Sequence, residues 1–244
     1  MRIEIWSDVV CPWCYIGKRR FEQALAEFPA RDEVEVVYRS FELDPRAPED
    51  GSESVMEALG RKFGGGPAAG RQMIDRVADV AAEAGLRFDY AQATHTRTLD
   101  AHRLLHLALD EGGPALQSRL KEALLEAYFA QARSMGDHAV LRQVAGSAGL
   151  DPVRVAEVLS SDEFSGEVQA DVQLAREYGI TGVPFFVVDG RFGISGAQPV
   201  EVFAQALETA WGGPRPTLQV LAGGGGADTR DAEHAACGPD GCEV

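Results

Sequence analysis

Ile3 and Ile5 alternate with polar neighbours in Arg2-Ile3-Glu4-Ile5-Trp6, the period of a half-buried strand. Phe21, Leu25 and Phe28 then recur at helical spacing within the stretch from Tyr15 to Phe28. Between Glu33 and Phe41 the alternation returns at Val34, Val36 and Tyr38. Strand, helix and strand make one βαβ unit, a connection that is almost always right-handed. Asp44-Pro45-Arg46-Ala47-Pro48 then breaks the pattern.

From about Ser52 to Tyr178 the periodicity predicts helices and no strand. Ile74, Val77, Ala78 and Ala81 mark one apolar face, ended by Gly85; Leu120, Ala123, Leu124, Ala127 and Tyr128 mark a second. Leu141, Val144, Ala145 and Ala148 mark a third, ended by Gly149, and Asp151-Pro152 reads as an N-cap with proline in the first helical position. Strand character returns at Pro184-Phe185-Phe186-Val187-Val188, Asp189-Gly190 is a hairpin turn signal, and Arg191 to Ser195 is the partner strand. Pro199 opens a last helix with Phe203, Ala206, Leu207, Ala210 and Trp211 on its apolar face. The predicted organisation is an α/β domain split between residues 1–45 and 179–212, a helical insertion at 46–178, and a flexible tail at 213–244 that contains four consecutive glycines.

Composition narrows the function. The chain has 244 residues, 45% of them hydrophobic, and a formal net charge of −15. With no basic stripe, nucleic-acid binding is not expected. No stretch is apolar and long enough to span a bilayer. Residues 1–10 lack a signal-peptide pattern, which points to the cytoplasm. Gly64-Gly65-Gly66 and Gly223 to Gly226 lack the strand-before, helix-after context of a nucleotide loop, so no organic cofactor is expected. His95, His106, His138 and His234 share no metal-ligand spacing.

The chemistry concentrates in Cys11-Pro12-Trp13-Cys14, on the turn between the first strand and the first helix. Unpaired N–H groups at a helix start favour a thiolate, and two residues between the sulfurs let them close into a disulfide and reopen. That is the pattern of a thioredoxin-like redox site when a βαβ unit surrounds it. A zinc half-site and a pair of core cysteines are the alternatives. Zinc takes about four N or S ligands, and the remaining cysteines are Cys237 and Cys242 at the far end of the chain. Around the pair, Asp8 is either a proton acceptor or a polar strand end. Trp6 is either a wall for peptide substrates or core.

Ile180-Thr181-Gly182-Val183-Pro184 precedes the returning strand. On base rates a strand-opening proline is trans, since cis makes up only ~5–6% of X-Pro bonds. CPWCYIGKRRFE, the AHRLLHLA stretch from Ala101 to Ala108, TGVPFFVVDG and SGAQP, in that order, resemble the DsbA family of thiol–disulfide oxidoreductases and, within it, the FrnE-like branch. The resemblance runs from about residue 2 to about residue 211. It implies a thioredoxin-like fold with a large all-helical insertion. It implies that Cys11 attacks and is the more exposed sulfur, that Cys14 is buried and resolves, and that Pro184 is cis beside them. The Val183 backbone would pair with an extended substrate, and Pro12 and Trp13 would tune the pair. Strongly oxidising relatives carry histidine at the position of Trp13, so a less oxidising reductase or isomerase is implied. The implied partners are protein disulfides and dithiols, with glutathione or a thioredoxin-type protein as reductant.

A neighbouring branch, the kappa-class glutathione transferases and 2-hydroxychromene-2-carboxylate isomerases, is similar too. Its members use glutathione and carry serine-type residues at the cysteine positions, so both cysteines being present favours dithiol exchange. In the AHRL stretch, His102 and Arg103 border the cleft or, as the favoured reading, sit on a helical surface. Cys237 and Cys242 flank Gly-Pro-Asp-Gly, a strong turn sequence, and a similar pair occurs in some FrnE-like proteins. Second redox pair, zinc partner to Cys11 and Cys14, and passive thiols all stay open.

Overall fold

The computed structural model describes residues 1–49 and 51–213. Cys237 and Cys242 lie outside the described residues. Strand β1 (Arg2–Ser7) runs parallel to β2 (Glu35–Ser40) and antiparallel to β3 (Phe185–Val188), which pairs antiparallel with β4 (Phe192–Ser195). The sheet order is β2-β1-β3-β4. Ile5 therefore sits between Tyr38 and Phe186 in register.

Helix α1 (Pro12–Glu27) and helix α8 (Val200–Gly212) cover one face of this sheet. Phe21, Phe28, Phe203 and Leu207 pack there against Ile3, Ile5, Phe186 and Val188. Trp6 points to the opposite face with Val187, so β1 is buried on both sides, as expected for the inner strand of a covered sheet. Trp6 is thus core. Its indole Nε1–H donates to the carbonyl of Asp171 at 2.9 Å.

The remaining helices are α2 (Val55–Phe63), α3 (Gly66–Glu83), α4 (Leu99–Phe129), α5 (His138–Ala148), α6 (Pro152–Leu159) and α7 (Ser165–Glu177). Several ends follow the capping chemistry of the sequence. Asp151 caps α6 through Val153 N–H with Pro152 in the first turn, and Gly149 closes α5 at φ 106°. Asp189 and Gly190 both take positive φ in the hairpin, as the turn signal predicts. Helix α4 is two helical segments joined at Gly113, where φ is 65° and ψ is −168°, with Pro114 following.

Helices α4 and α7 pack on β2, the outermost strand on that side. Two insertion side chains hydrogen-bond to its outer edge. Gln117 Oε1 accepts from the Tyr38 N–H, and Gln117 Nε2 donates to the Tyr38 carbonyl, each at 2.9 Å. Asp171 Oδ2 accepts from the Ser40 N–H at 2.8 Å. Asp171 also faces Arg39 at 3.0 Å and His106 at 3.2 Å.

Candidate active site

The end of β1, the start of α1 and the loop before β3 meet at Cys11. Residue Cys11 is the N-cap of α1, with Pro12 in the first turn, and its carbonyl accepts from the Cys14 and Tyr15 N–H groups at 3.0 and 3.3 Å. Its Sγ lies 3.6 Å from the Val183 carbonyl oxygen. The Val183–Pro184 peptide bond is cis, as the family resemblance implies and against the base rate. Pro184 Cγ lies 3.0 Å from where a Cβ on Gly17 would stand, so the proline loop rests directly on α1. The structure therefore brings Cys11, Cys14, Val183 and Pro184 together. Pro12 and Trp13 lie between the sulfurs, and Trp13 is exposed.

As residues the two cysteines are equally buried, each 3% exposed, where the family resemblance implies a more exposed Cys11. Both thiols are free. Burial and the adjacent Cys11 sulfur push the Cys14 thiol well above the ordinary cysteine range, while Lys121 and the Asp8 backbone pull it back.

Asp8 is no ordinary polar strand end. It is 1% exposed, its Oδ2 accepts from the Leu43 N–H at 2.8 Å, and its Oδ1 faces His102 Nε2 at 3.3 Å. Burial alone would raise its pKa. The His102 hydrogen bond and charge, the Leu43 amide and the charge of Lys121 outweigh that and hold the carboxyl below the ordinary aspartate value. His102 and Arg103 are likewise buried, which corrects their reading as a helical surface. Arg103 is tied to the Glu163 and Ser161 carbonyls at 2.7 and 2.6 Å, joining α4 to the loop before α7.

Lys121 escaped the sequence reading. It lies on α4, 1% exposed, with Nζ 3.5 Å from the Ser7 carbonyl and 5.8 Å from the centre of the Tyr38 ring. Burial lowers its pKa to about 8, although Cys14, Asp8 and Cys11 pull it upward. The signal was present in the chain: Lys121 interrupts the buried stripe Gln117, Leu120, Leu124 and Tyr128, where a lysine is costly. A cavity of about 330 Å³ opens beside the same turn, lined by Asp8, Val10, Leu43, Val55, Leu59 and Tyr128 among others. Its mainly apolar lining next to the residue before Cys11 suits an apolar side chain.

Among the described residues no group of three or more His, Cys, Asp or Glu is placed to hold a metal ion. No described helix is long and apolar enough to cross a membrane.

The chain matches the family described as DSBA-like thioredoxin domain over residues 2–208. A crystal structure of a probable DsbA oxidoreductase from Streptomyces coelicolor is 46% identical, with a TM-score of 0.82, covering 100% of this chain and 99% of that one. The uncharacterized protein YwbO of Bacillus subtilis is 27% identical over 210 residues, 85% of this chain and 96% of its own. The cytosolic disulfide reductase DsbM of Pseudomonas aeruginosa, solved with GSH, shares the fold at 16% identity and a TM-score of 0.61, covering 86% of this chain and 99% of that one.

Proposed function

We propose, from the premise that this chain belongs to the DsbA-like thioredoxin-domain family, that it exchanges disulfides with protein substrates through Cys11 and Cys14. The observation that carries the reading is the free dithiol at the start of α1, with Cys11 Sγ against the carbonyl before Pro184. Cys11 attacks a substrate disulfide, forming one S–S bond as another breaks, and the first substrate thiolate leaves. Cys14 then attacks Cys11 Sγ, the intramolecular disulfide forms, and the second substrate thiolate departs. Two electrons pass from the dithiol to the substrate. Val183 offers its backbone to an extended substrate, and Trp13 offers an exposed apolar surface beside the sulfurs.

The direction is reductive or isomerising, as in the FrnE-like branch. Position 13 holds tryptophan, which adds no positive charge next to the Cys11 sulfur. Such work fits the cytoplasm, with glutathione or a thioredoxin-type protein restoring the dithiol and no bound organic cofactor.

The test is a redox titration in glutathione buffers, quenched by alkylation and read by peptide mass, on the wild-type chain and two variants. Cys11 and Cys14 should titrate together as one two-electron pair. Cys11→Ser should abolish exchange, and Cys14→Ser should accumulate mixed disulfides on Cys11. Glutathione conjugation of an electrophile that survives Cys11→Ser would transfer the assignment to the kappa-class chemistry instead.

A further inference from the structure

Helix α4 belongs to the insertion, yet it places an amine at the end of β1, four residues before the dithiol. Lys121 is buried, its nearest polar partner is the Ser7 carbonyl at 3.5 Å, and among the described residues no carboxylate oxygen lies within 4.0 Å of its Nζ. Lysine is almost never fully buried unless paired. Ser7 ends β1 four residues before Cys11, and the Tyr38 ring lies 5.8 Å from Nζ; the charges that act on the amine are those of Cys14, Asp8 and Cys11, which favour its ammonium, and Lys18, which opposes it. Lys18 is itself engaged by Glu22 at 2.6 Å and by Glu122, and Asp8 by His102 at 3.3 Å and the Leu43 amide. Of the groups that favour the Lys121 charge, Cys14 contributes most, ahead of Asp8 and Cys11.

We propose that Lys121 is a positioning cation for the resolving step, its ammonium stabilising the Cys14 thiolate as that sulfur attacks the Cys11–substrate disulfide. The inference rests on the thiol–disulfide reading of the site. The Cys14 proton passes to water. The Cys14 sulfur then donates an electron pair to Cys11 Sγ, the Cys11–Cys14 bond forms, and the bond from Cys11 to the substrate sulfur breaks. Without the cation, burial disfavours the Cys14 thiolate further and the attack slows. Cys11, at the helix N-terminus, has the helix start to favour its charge; Cys14, one turn inside, does not.

The experiment is stopped-flow reduction of 5,5′-dithiobis(2-nitrobenzoate) by the fully reduced chain. The first thionitrobenzoate is released when Cys11 attacks, the second when Cys14 resolves. An absent first phase in the wild type would sink the thiol–disulfide reading itself, whereas the second phase reports on Lys121. Lys121→Met should slow the second phase at pH 7 by about tenfold or more, the loss expected when the thiolate midpoint rises by ~1 pH unit. That midpoint should move upward, with the first phase within about threefold of wild type. Lys121→Arg should restore much of the rate, since it returns the charge. An unmoved second phase and midpoint in Lys121→Met overturn the proposal. So does an equal loss of both phases that Lys121→Arg does not repair. If Lys121→Met does not fold, the wild type still decides: by reciprocal linkage, the ¹³Cε signal of Lys121 should titrate at higher pH in the reduced chain than in the oxidised one. Identical titrations would refute the coupling.

Discussion

Lys121 should cost the fold stability. Its ammonium is disfavoured inside, so its pKa falls from 10.5 to about 8 in the folded chain. Between those values the unfolded state binds more protons than the native state, and stability rises with pH. The penalty is complete below pH 8 and gone above 10.5, a difference of about 3 kcal/mol. Lys121→Met should therefore raise the unfolding free energy at pH 7 by a few kcal/mol in urea titrations, with the gain fading as pH approaches 10.5. A residue kept at such cost is consistent with a role in the chemistry. Asp8 has the opposite sign. Its folded-state pKa lies below the ordinary 3.8, so its contribution is present above 3.8 and is lost as pH falls through the lower folded value. Asp8→Asn leaves His102 and Lys121 buried without their carboxylate and should cost about 3–5 kcal/mol at pH 7, read by chemical denaturation. A cost below ~1 kcal/mol would mean the buried charges are solvated by another route.

At the scale of elements, Gln117 performs a task ordinarily done by a neighbouring strand. One side-chain amide satisfies both the N–H and the carbonyl of Tyr38. Gln117→Leu keeps the size and apolar contacts but leaves two buried backbone groups unpaired, each worth about 1–3 kcal/mol. The expected result is a destabilisation of about 2–5 kcal/mol in urea, with faster amide exchange at Tyr38. The elements themselves were largely legible. Alternation at Ile3 and Ile5 and at Val34, Val36 and Tyr38 marks the paired strands, and Gly149, Asp151 and Asp189-Gly190 mark local ends and turns. These signals are short-range, and backbone sterics make them so. The join at Gly113 was missed, because the face at Leu120 to Tyr128 and the AHRLLHLA stretch read as separate segments although α4 carries both.

Across the whole molecule, the legible part of the site was the part written in contiguous residues: Cys11 to Cys14, and Val183-Pro184. The illegible part depends on tertiary closure. Asp8 meets His102 across 94 residues of chain, and Lys121 reaches Ser7 across 114. No periodicity encodes such a meeting, and the same side chains on an exposed helix would be unremarkable. The contact of Cys11 with the Val183 carbonyl is of the same kind, at a separation of 172. Accordingly the insertion is more than a lid on a finished redox unit, since α4 supplies both the partner of Asp8 and the buried amine at the end of β1. The hydrogen bonding at Tyr38 and Ser40 carries this further. Gln117 and Asp171 occupy the outward-facing groups of Tyr38 and the outward N–H of Ser40, so that stretch of the β2 edge is closed to another chain. Lifting the helices away would do more than weaken the fold: it would bare those groups as a template for strand addition.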